Sequence, residues 1–466
     1  MRRAALSAAR GDAVPWRSAG RARSRASALA HAGTLFAVLC KALVALLALA
    51  LATAMADPPH RASTPVPAAA APSARVLTGA EVLVASGYQA IAGKRVGLIS
   101  NHTARVGDEH LADLLSRAPN VKLTAIFAPE HGFRGNAEAG AALGDGTDAK
   151  TGVPIYSLYG ASRNPTPAML RDVEVLLFDI QDVGARFYTY ISTMGLAMAA
   201  AAKAHIPFIV LDRPNPLGGD YVSGFVLEPR LRSFVGQYPI PIVHGMTVGE
   251  LARMIQGERW VAGVKHLDLR IVEMQGWQRS MRWPQTQHAW IATSPNIPTF
   301  DSALVYPGMG LVGETQVSEG LGTPTPFCVF GAPWLDAPQL VARLNALGLP
   351  GIAFATENFT PQSIPGTATN PRFVGQKVAG VRLVITDVQR IEPLEVGIHV
   401  LSLIVGEARA KGIKGLFANP AFFNAIAGTS RLYRMLNGGS SGGDIITAWQ
   451  GELAHFKAER ARYLLY

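Results

Sequence analysis

Four apolar runs in the first half of this chain constrain its fold more than any other feature. Each run is short and rich in β-branched residues, and the segments between the runs are long enough to hold a helix. Near-continuous apolar strands that alternate with helical patterns are typical of a parallel sheet with helices on both faces. The sequence therefore predicts an α/β fold, from the runs KRVGLISNH, VKLTAIFAPEH, VEVLLFDIQD and IPFIVLDRPNP.

Polar side chains follow each of the four predicted strands. In an open α/β sheet the ligand crevice lies beyond the carboxyl ends of the strands, so four polar strand ends are expected to converge on one cleft. Ordinary turn chemistry is the alternative explanation for any single cluster. The residues are Ser100, Asn101 and His102 after the first strand, Glu130 and His131 after the second, Asp179, Gln181 and Asp182 after the third, and Asp212, Arg213 and Asn215 after the fourth.

The second of these strand ends, FAPEHGFRG, holds a carboxylate, an imidazole and a guanidinium within five positions. Pro129 restrains the backbone beside Glu130, which should project from the strand end. A fixed carboxylate next to His131 suits general acid or base catalysis, because a neighbouring group and partial desolvation can tune its pKa. The alternative is a solvated turn residue that forms a salt bridge with Arg134. The segment alone is compatible with both interpretations.

The formal net charge of +10 does not indicate a nucleic-acid partner, because +7 of it lies in residues 1–56. That segment holds eight Lys or Arg and one acid, followed by an apolar run that ends in Ala54-Met55-Ala56. A basic region, an apolar run and small residues at a cleavage site are typical of an export signal. We expect cleavage before Asp57. The alternative is an uncleaved N-terminal anchor, which would be the only contact with a membrane.

The rest of the chain predicts an exported protein with two domains. Cys328 is the single cysteine after residue 56, so no internal disulfide bond is expected, and a periplasmic location follows from the export signal. Residues 57–75 are rich in Pro and Ala and predict a disordered linker. We predict an α/β domain at residues 76–300 and a smaller α+β domain at residues 301–466, where loops rich in Pro and Gly precede a strand and a helix.

The sequence contains no nucleotide-binding or metal-binding motif of known spacing. Neither a GxGxxG fingerprint after the first strand nor a GxxxxGK[ST] loop is present, which disfavours nucleotide binding. Asp179 and Asp182 could supply oxygen ligands to a metal ion, with nitrogen ligands from His131 and His244, but this spacing is unspecific. Asp182 could instead pair with Arg186, four residues further on. No cofactor and no metal ion are predicted.

The segment from residue 277 to residue 334 has the composition of a sugar-binding surface. Aromatic faces with polar edges are the usual lining for sugar rings. In the same segment, the Gly-rich loop VGETQVSEGLGT carries Glu314 and Glu319. Acids in a flexible loop often serve only solubility, yet beside an aromatic surface these two are candidate site residues. The aromatic residues are Trp277, Trp283, Trp290, Tyr306 and Trp334.

Several motifs in a fixed order resemble a known bacterial family. They are FAPEHGFRG, DIQDVGARFYTY, LDRPNPLGG, PIVHGMTVGELA, TSPNIPT, YPGMGLVGETQVSEGLGT and the terminal RYLLY. From about residue 76 to the last residue, the chain is similar to the DUF1343 family, whose characterised members are exo-β-N-acetylmuramidases of the NamZ type. The resemblance implies a Rossmann-like N-terminal domain and a smaller C-terminal domain, with the active site between them.

The resemblance further implies a glycoside hydrolase that releases N-acetylmuramic acid from the non-reducing ends of peptidoglycan-derived glycan (MurNAc-GlcNAc) during cell-wall turnover. The glutamate of the family motif PEHG falls on Glu130, the expected general acid. Glu319 is the first candidate for a partner carboxylate and Asp182 the second; in a substrate-assisted route, Asp182 or Asp179 would orient the acetamido group of the sugar. The expected substrate contacts are Asn101, His131, Arg134, Asp179, Arg186, Tyr188, Arg213, Asn215, His244, Asn296 and Glu314.

This chain departs from the family pattern in the acidic loop. Many members read EGTN and then SEGRGT, whereas this chain reads GETQ and then SEGLGT. Glu319 keeps its place, Glu314 is displaced by one position, Gln316 stands for Asn, and Leu321 stands for Arg. A contact from that arginine to an anionic group of the substrate, such as the lactyl carboxylate, is therefore not expected at position 321.

Two alternatives to a glycosidase remain open from the sequence. One is a metal-dependent periplasmic hydrolase that acts on phosphate or amide bonds through Asp179, Asp182 and His244. The other is a non-catalytic periplasmic protein that binds cell-wall glycan in the same cleft without cleaving it. The first predicts loss of activity in a strong chelator, and the second predicts saturable binding with no free muramic acid among the products.

Overall fold

The computed structural model describes residues 75–134, 144–160 and 162–466, which belong to one compact unit. The predicted export signal and the predicted linker, apart from Arg75, lie outside the described residues. Among the helices that the structure describes, none is long and apolar enough to cross a membrane. A parallel sheet, a smaller antiparallel sheet and a group of C-terminal helices make up the unit.

A seven-stranded sheet dominates the first half of the unit. The strands of this half are β1 (Lys94–Ser100), β2 (Arg105–Val106), β3 (Glu109–His110), β4 (Val121–Ala128), β5 (Gly146–Thr147), β6 (Pro154–Ser157), β7 (Val175–Asp179), β8 (Phe208–Leu211) and β9 (Leu269–Val272). The large sheet has the order β5-β6-β4-β1-β7-β8-β9, while β2 and β3 pair separately. Only β5 runs antiparallel to its neighbour. Without β5 this is the Rossmann strand order, which confirms the predicted α/β fold.

The helices of the described residues cover the sheet and build most of the second half. The first four lie in the sheet-forming half and the other seven follow. Their bounds are α1 (Gly79–Ala85), α2 (Leu111–Ser116), α3 (Tyr190–Ala204), α4 (Val248–Gly257), α5 (Phe300–Val312), α6 (Ala337–Ala346), α7 (Pro393–Ala410), α8 (Pro420–Ala427), α9 (Arg431–Gly438), α10 (Gly442–Ala448) and α11 (Gln450–Arg460).

The central strands are buried on both faces, which explains why they read as continuous apolar runs. Every residue of β7 and β8 is buried. On one face, Leu98, Leu177 and Ile209 pack with residues of α1 and α2. On the other face, Phe178 and Phe208 stack with ring centroids 6.4 Å apart and pack with α3 and α4. Burial of each phenylalanine side chain stabilises the folded state by about 1.5–3 kcal/mol. This packing supports the loops that follow the strands.

The second half contains a three-stranded antiparallel sheet in the order β10-β12-β11, with strands β10 (Val329–Gly331), β11 (Ile352–Phe359) and β12 (Val378–Ile385). Helices α5 and α7 cross at Gly308 and Gly397. A Cβ atom added to Gly308 would lie 2.8 Å from the Cα of Gly397, so any side chain there would push the two helices apart. The antiparallel sheet and its helices fit the smaller α+β part expected from the sequence.

The two halves share one hydrophobic core. The larger core cluster contains Phe178 of the sheet and Trp449 and Phe456 of the C-terminal helices. At the end of the chain, the Tyr466 hydroxyl donates a 2.9 Å hydrogen bond to Oδ2 of Asp212, directly after β8. The predicted boundary at residues 300 and 301 falls at the start of α5, and the division into two domains stays a prediction.

Candidate active site

A cleft of about 640 Å³ lies between the edge of the parallel sheet and the C-terminal half. Its volume is within the range of sites that bind small molecules. The sheet side contributes residues that follow β4 and β6 and residues at the start of α3, and the other side contributes α5, the loop after it and α8. The lining includes Glu130, His131, Tyr159, Arg163, Thr189, Tyr306, Glu314 and Leu321.

A tight turn after β4 directs Glu130 into this cleft. The amide of Gly132 donates a 3.0 Å hydrogen bond to the carbonyl of Pro129. His131 adopts a positive φ of 70°, and Gly132 follows with a φ of 77°. A left-handed backbone is uncommon for a residue with a Cβ atom, and such strain is often found at functional sites. Phe327, on the opposite side of the cleft, also has a positive φ, of 65°.

Two hydroxyl groups hold the carboxyl group of Glu130. The Thr189 hydroxyl donates a 2.6 Å hydrogen bond to Oε2 of Glu130. Thr189 is the N-cap residue of α3, but its side chain makes no capping hydrogen bond to that helix. Tyr159 is also hydrogen-bonded to Glu130, and burial, together with the charge of Glu130, raises the pKa of its phenol to about 12. These two hydrogen bonds therefore fix the carboxyl group of Glu130 next to the N-terminus of α3.

An aromatic wall stands next to Glu130. Tyr188 packs edge-to-face against Tyr190 and Tyr306, with centroid distances of 4.8 Å and 5.8 Å. Tyr306 in turn packs edge-to-face against Phe327 at 5.0 Å. The Tyr190 hydroxyl accepts a 3.0 Å hydrogen bond from Nδ2 of Asn101, so this predicted contact residue supports the wall from behind. Such a wall suits the flat, partly apolar faces of a sugar ring.

Glu314 is the second carboxyl group in the cleft lining. It lies two residues beyond the end of α5 and is half-buried, and burial raises the pKa of its carboxyl group. Glu319 is more deeply buried, next to Gly313, and burial raises its pKa to about 7. The Arg372 guanidinium lies 3.8 Å from Oε2 of Glu319 and opposes the pKa shifts of both acids. Of the two loop acids, Glu314 has access to the cleft.

The polar residues after β1, β7 and β8 form a buried network to one side of the cleft. Arg213 donates two hydrogen bonds to the carboxylate of Asp179, of 2.5 Å and 3.0 Å. The Asn215 amide donates to the carbonyl of Met246. These strand ends border a separate cavity of about 380 Å³, at the Rossmann switch point between β1 and β7. The structure therefore does not bring all four predicted clusters into one cleft, because Asp179, Arg213 and Asn215 are paired inside this network.

Asp182, the second candidate for the partner carboxylate, is buried behind the cleft wall. Its Oδ1 accepts a 2.7 Å hydrogen bond from the amide of Gly184, and its Oδ2 has no hydrogen-bond partner among the described residues. Burial raises the pKa of Asp182 to about 7. Its charge also contributes to the raised pKa of Tyr188, a lining residue. Asp182 is thus close to the wall but does not line the cleft.

Arg186 and His244 were both predicted as substrate contacts, but in the structure they are buried and form hydrogen bonds with the backbone. Arg186 is 1% exposed and donates hydrogen bonds to three backbone carbonyls, those of Phe225, Ile240 and Ile426, at 2.7–3.0 Å. It makes no ion pair with Asp182 among the described residues. Burial and nearby arginines lower the pKa of His244 to about 3, and Nδ1 of its ring accepts from the amide of Met246. Neither side chain lines the cleft, and Nε of Arg186 and Nε2 of His244 are buried without a hydrogen-bond partner among the described residues.

The remaining predicted contacts divide between the cleft and its surroundings. His131, Tyr188 and Asn296 line the cleft. Arg134 instead makes a 2.5 Å salt bridge with Asp148 and stacks on Phe133. The alternative interpretation of the segment required a salt bridge between Arg134 and Glu130. In the structure Arg134 pairs with Asp148 instead.

Sequence reasoning missed the side chains that position Glu130. Tyr159 follows β6, a short and half-buried strand without an apolar run that could have marked it. Thr189 lies in the motif FYTY, where the neighbouring tyrosines were the more conspicuous signal. The tryptophans predicted as sugar-binding residues pack elsewhere: Trp277 contacts Tyr466, and Trp283 contacts Trp290. Tyr306 alone of that aromatic set lines the cleft.

Within the described ranges, no group of three His, Cys, Asp or Glu residues is arranged to hold a metal ion. Asp179 is occupied by Arg213, and the buried His244 lies among arginines. Asp179, Asp182, His131 and His244, the metal ligands considered from the sequence, therefore do not form one group, and the charge of Asp179 is paired with Arg213.

Comparisons with known proteins agree along most of the chain. Residues 96–301 match the family model of the exo-β-N-acetylmuramidase NamZ N-terminal part, and residues 304–466 match that of its C-terminal part. The peptidoglycan β-N-acetylmuramidase NamZ of Bacillus subtilis (strain 168) is 42% identical over 393 residues, which cover 84% of this chain and 92% of that protein.

Two crystal structures of DUF1343 family proteins from Bacteroides fragilis NCTC 9343 have similar folds. Their TM-scores are 0.76 and 0.68 at 38% and 36% identity, and each comparison covers 84% of this chain and 99% of the other. The fold, the motif order and both family models agree. The chain belongs to the NamZ family of exo-β-N-acetylmuramidases, also described as the DUF1343 family.

Proposed function

We propose that this protein is an exo-acting β-N-acetylmuramidase that releases N-acetylmuramic acid from the non-reducing ends of peptidoglycan glycan fragments. The observation that carries the proposal is the pair of carboxyl groups, Glu130 and Glu314, in one cleft of a chain that is 42% identical to a peptidoglycan β-N-acetylmuramidase. Most glycoside hydrolases place two carboxyl groups beside the bond that they cleave. The aromatic wall around Tyr306 supports binding of the sugar ring.

Glu130 is the proton donor in this proposal. Its proton passes to the glycosidic oxygen while the bond between that oxygen and C1 of the muramic acid breaks, so the second sugar departs as a neutral alcohol. The hydrogen bonds with Thr189 and Tyr159 support this role, because they hold the carboxyl group in one position. A positioned catalytic group lowers the entropic part of the barrier.

Glu314 is the proposed partner carboxylate, in place of Glu319 and Asp182. A raised pKa makes a carboxylate a stronger base near neutral pH, and burial raises the pKa of Glu314. In an inverting reaction Glu314 accepts a proton from the water that attacks C1, and in a retaining reaction it attacks C1 itself. The anomeric configuration of the first product, measured by NMR, distinguishes these two courses.

The proposal is tested by incubating the protein with the disaccharide MurNAc-GlcNAc and identifying the products by mass. Free N-acetylmuramic acid and free N-acetylglucosamine are expected. The Glu130→Gln variant keeps the size of the side chain and is expected to unfold at the wild-type temperature but to lose about 10²- to 10⁴-fold in turnover. Saturable binding without cleavage, or wild-type turnover by Glu130→Gln, would contradict the proposal.

We further propose that the protein is exported and acts in the periplasm, on the basis of the basic and apolar segment at residues 1–56. Peptidoglycan lies outside the cytoplasmic membrane, so the location suits the proposed substrate. N-terminal sequencing of the protein from a cell fraction tests this: a mature chain that begins at Asp57 in the soluble periplasmic fraction supports export with cleavage. Recovery with the membrane fraction at full length supports the anchor instead.

A further inference from the structure

Among the residues that the structure describes, the cleft lining contains one arginine, Arg163, six residues beyond the end of β6. Its guanidinium group lies over the ring of Phe234, 4.4 Å from the ring centre. Arg163 forms no hydrogen bond and no salt bridge with any residue in the described ranges. By contrast, Arg134 and Arg213 are paired with carboxylates, and Arg186 donates to backbone carbonyls.

Arg163 is close to the proposed catalytic group. Tyr159, which is hydrogen-bonded to Glu130, responds to the charges of both residues: Glu130 raises the pKa of the phenol and Arg163 lowers it. The rings of Tyr159 and Phe234 also approach each other, with centroids 6.0 Å apart. The cation therefore lies one aromatic side chain away from the carboxyl group of Glu130, at the exposed rim of the cleft.

Stacking on Phe234 holds the plane of the guanidinium group while leaving its N–H edges free. Arginine over an aromatic face is held by the ring quadrupole, and its planar fork of donors matches the two oxygens of a carboxylate. A free, oriented fork at the rim of the cleft attracts a ligand that brings its own negative charge there. The nearby side chain at position 321 is leucine, which has no donor to offer.

N-acetylmuramic acid carries such a charge, since it differs from N-acetylglucosamine by a lactyl ether with a carboxylate. We propose that Arg163, held by Phe234, binds the lactyl carboxylate and so selects muramic acid over N-acetylglucosamine. This inference rests on the proposed function. It assigns Arg163 to substrate specificity, apart from the bond-breaking step that Glu130 performs.

The test compares two substrates on four proteins: the wild type, Arg163→Met, Arg163→Lys and a control variant. The substrates are a chromogenic β-muramide and the matching β-N-acetylglucosaminide, which lacks the lactyl group. For Arg163→Met we expect kcat/KM on the muramide to fall by about 10- to 100-fold, mainly through KM, because a charged hydrogen-bonded pair is lost. On the glucosaminide kcat/KM is expected to change by less than about twofold, and Arg163→Lys should restore only part of the muramide rate because it lacks the fork.

Arg134→Met is the matched control, because Arg134 also stacks on a phenylalanine, at 4.5 Å, but is paired with Asp148. Its ratio of muramide to glucosaminide activity is expected to equal that of the wild type. An unchanged ratio in Arg163→Met would overturn the inference, as would a loss of selectivity in Arg134→Met alone. Failure of the wild-type protein to cleave the muramide would instead overturn the proposed function, so the two failures are distinguishable.

Discussion

The Thr189 hydroxyl lies 2.6 Å from Oε2 of Glu130 and donates to it, although Thr189 occupies the N-cap position where such a hydroxyl ordinarily bonds to its own helix. The side chain thus serves the cleft and not helix α3. We expect Thr189→Val to lower kcat by about 10- to 100-fold while leaving the unfolding temperature nearly unchanged, since no capping bond is lost. Steady-state kinetics and thermal unfolding of the same sample measure both.

Thr193 provides a matched control for this substitution. It lies one turn further along α3, it is fully buried, and its hydroxyl has no hydrogen-bond partner among the described residues. Thr193→Val should leave kcat unchanged and should not lower stability, because an unsatisfied buried hydroxyl is removed. Equal losses of activity in the two variants would mean that the effect comes from packing of the helix.

Glu314 and Glu319 differ in their access to the cleft, so they are expected to differ in their effect on turnover. Glu314→Gln should lower kcat by about 10²- to 10⁴-fold if it is the partner carboxylate. Glu319→Gln should lower kcat by less than about tenfold, because Glu319 does not line the cleft and can influence it only through its contacts with Arg372 and Glu314. A larger loss in Glu319→Gln than in Glu314→Gln would return the role to Glu319, the first choice from the sequence.

Asp182 is expected to make stability fall with rising pH. Burial raises its pKa to about 7, so the protonated form is favoured in the folded protein and the charged form in the unfolded chain. The stabilisation is fully present below the pKa of the unfolded chain, about 3.9, and is lost as pH rises from there to about 7, at up to about 1.4 kcal/mol per pH unit. Above about pH 7 the carboxyl group is ionised in both states and contributes no further slope. Denaturant unfolding between about pH 4 and 8 measures this slope and its end near pH 7.

Asp182→Asn tests the origin of that slope, because asparagine cannot ionise and still accepts the hydrogen bond from Gly184. The variant should show a flatter dependence than the wild type between about pH 4 and 7. The slope should not vanish, since burial also raises the pKa of Glu319 to about 7. An identical slope in both proteins would assign the effect to other groups.

Tyr466 fastens the end of the chain to the parallel sheet. Its hydroxyl donates to Asp212 and accepts a 2.8 Å hydrogen bond from the amide of Met274. Tyr466→Phe should cost about 1–3 kcal/mol in unfolding free energy, because it leaves the amide of the buried Met274 without an acceptor and removes one of the two hydrogen bonds to Oδ2 of Asp212. Tyr463→Phe is the control: its hydroxyl bonds to Glu258 nearer the surface, so a smaller loss is expected. Denaturant unfolding measures the unfolding free energy of both variants, and equal losses would contradict this role of Tyr466.

Removal of divalent metal ions should leave the glycosidase activity unchanged. The acids Asp179 and Asp182 are engaged by Arg213 or buried, and the described residues contain no group of three candidate metal ligands. Dialysis against a strong chelator followed by the MurNAc-GlcNAc assay measures this. A loss of activity that added metal restores would favour the metal-dependent hydrolase that the sequence left open.

The parallel sheet could be predicted because its central strands carry their signal locally. All of β7 and β8 is buried on both faces, so those strands are apolar without interruption. The edge strand β6 is half-buried and lacks that pattern, and it leads to Tyr159, which the sequence analysis missed. Strand prediction thus worked where burial was complete and failed at the edge that forms the cleft.

The direction of side chains beyond the strand ends could not be read from the sequence. Asp179 and Glu130 both follow apolar strands, yet Asp179 is fully buried against Arg213 while Glu130 faces the cleft. The difference depends on partners 34 residues away in the first case and 59 in the second. Local pattern identifies a polar strand end, but only tertiary packing decides whether that end is satisfied internally or left available to a ligand.

Arg186 has a consequence for how the cleft operates. It emerges from the sheet-forming half and donates to the carbonyl of Ile426, a lining residue on the far side, while Gly428 leaves the room that its guanidinium requires. Separating the two halves would leave the buried Arg186 guanidinium without its carbonyl partner, at a cost of several kcal/mol. Arg186 therefore acts as a buried tie across the cleft that opposes a hinge-like separation of its two sides.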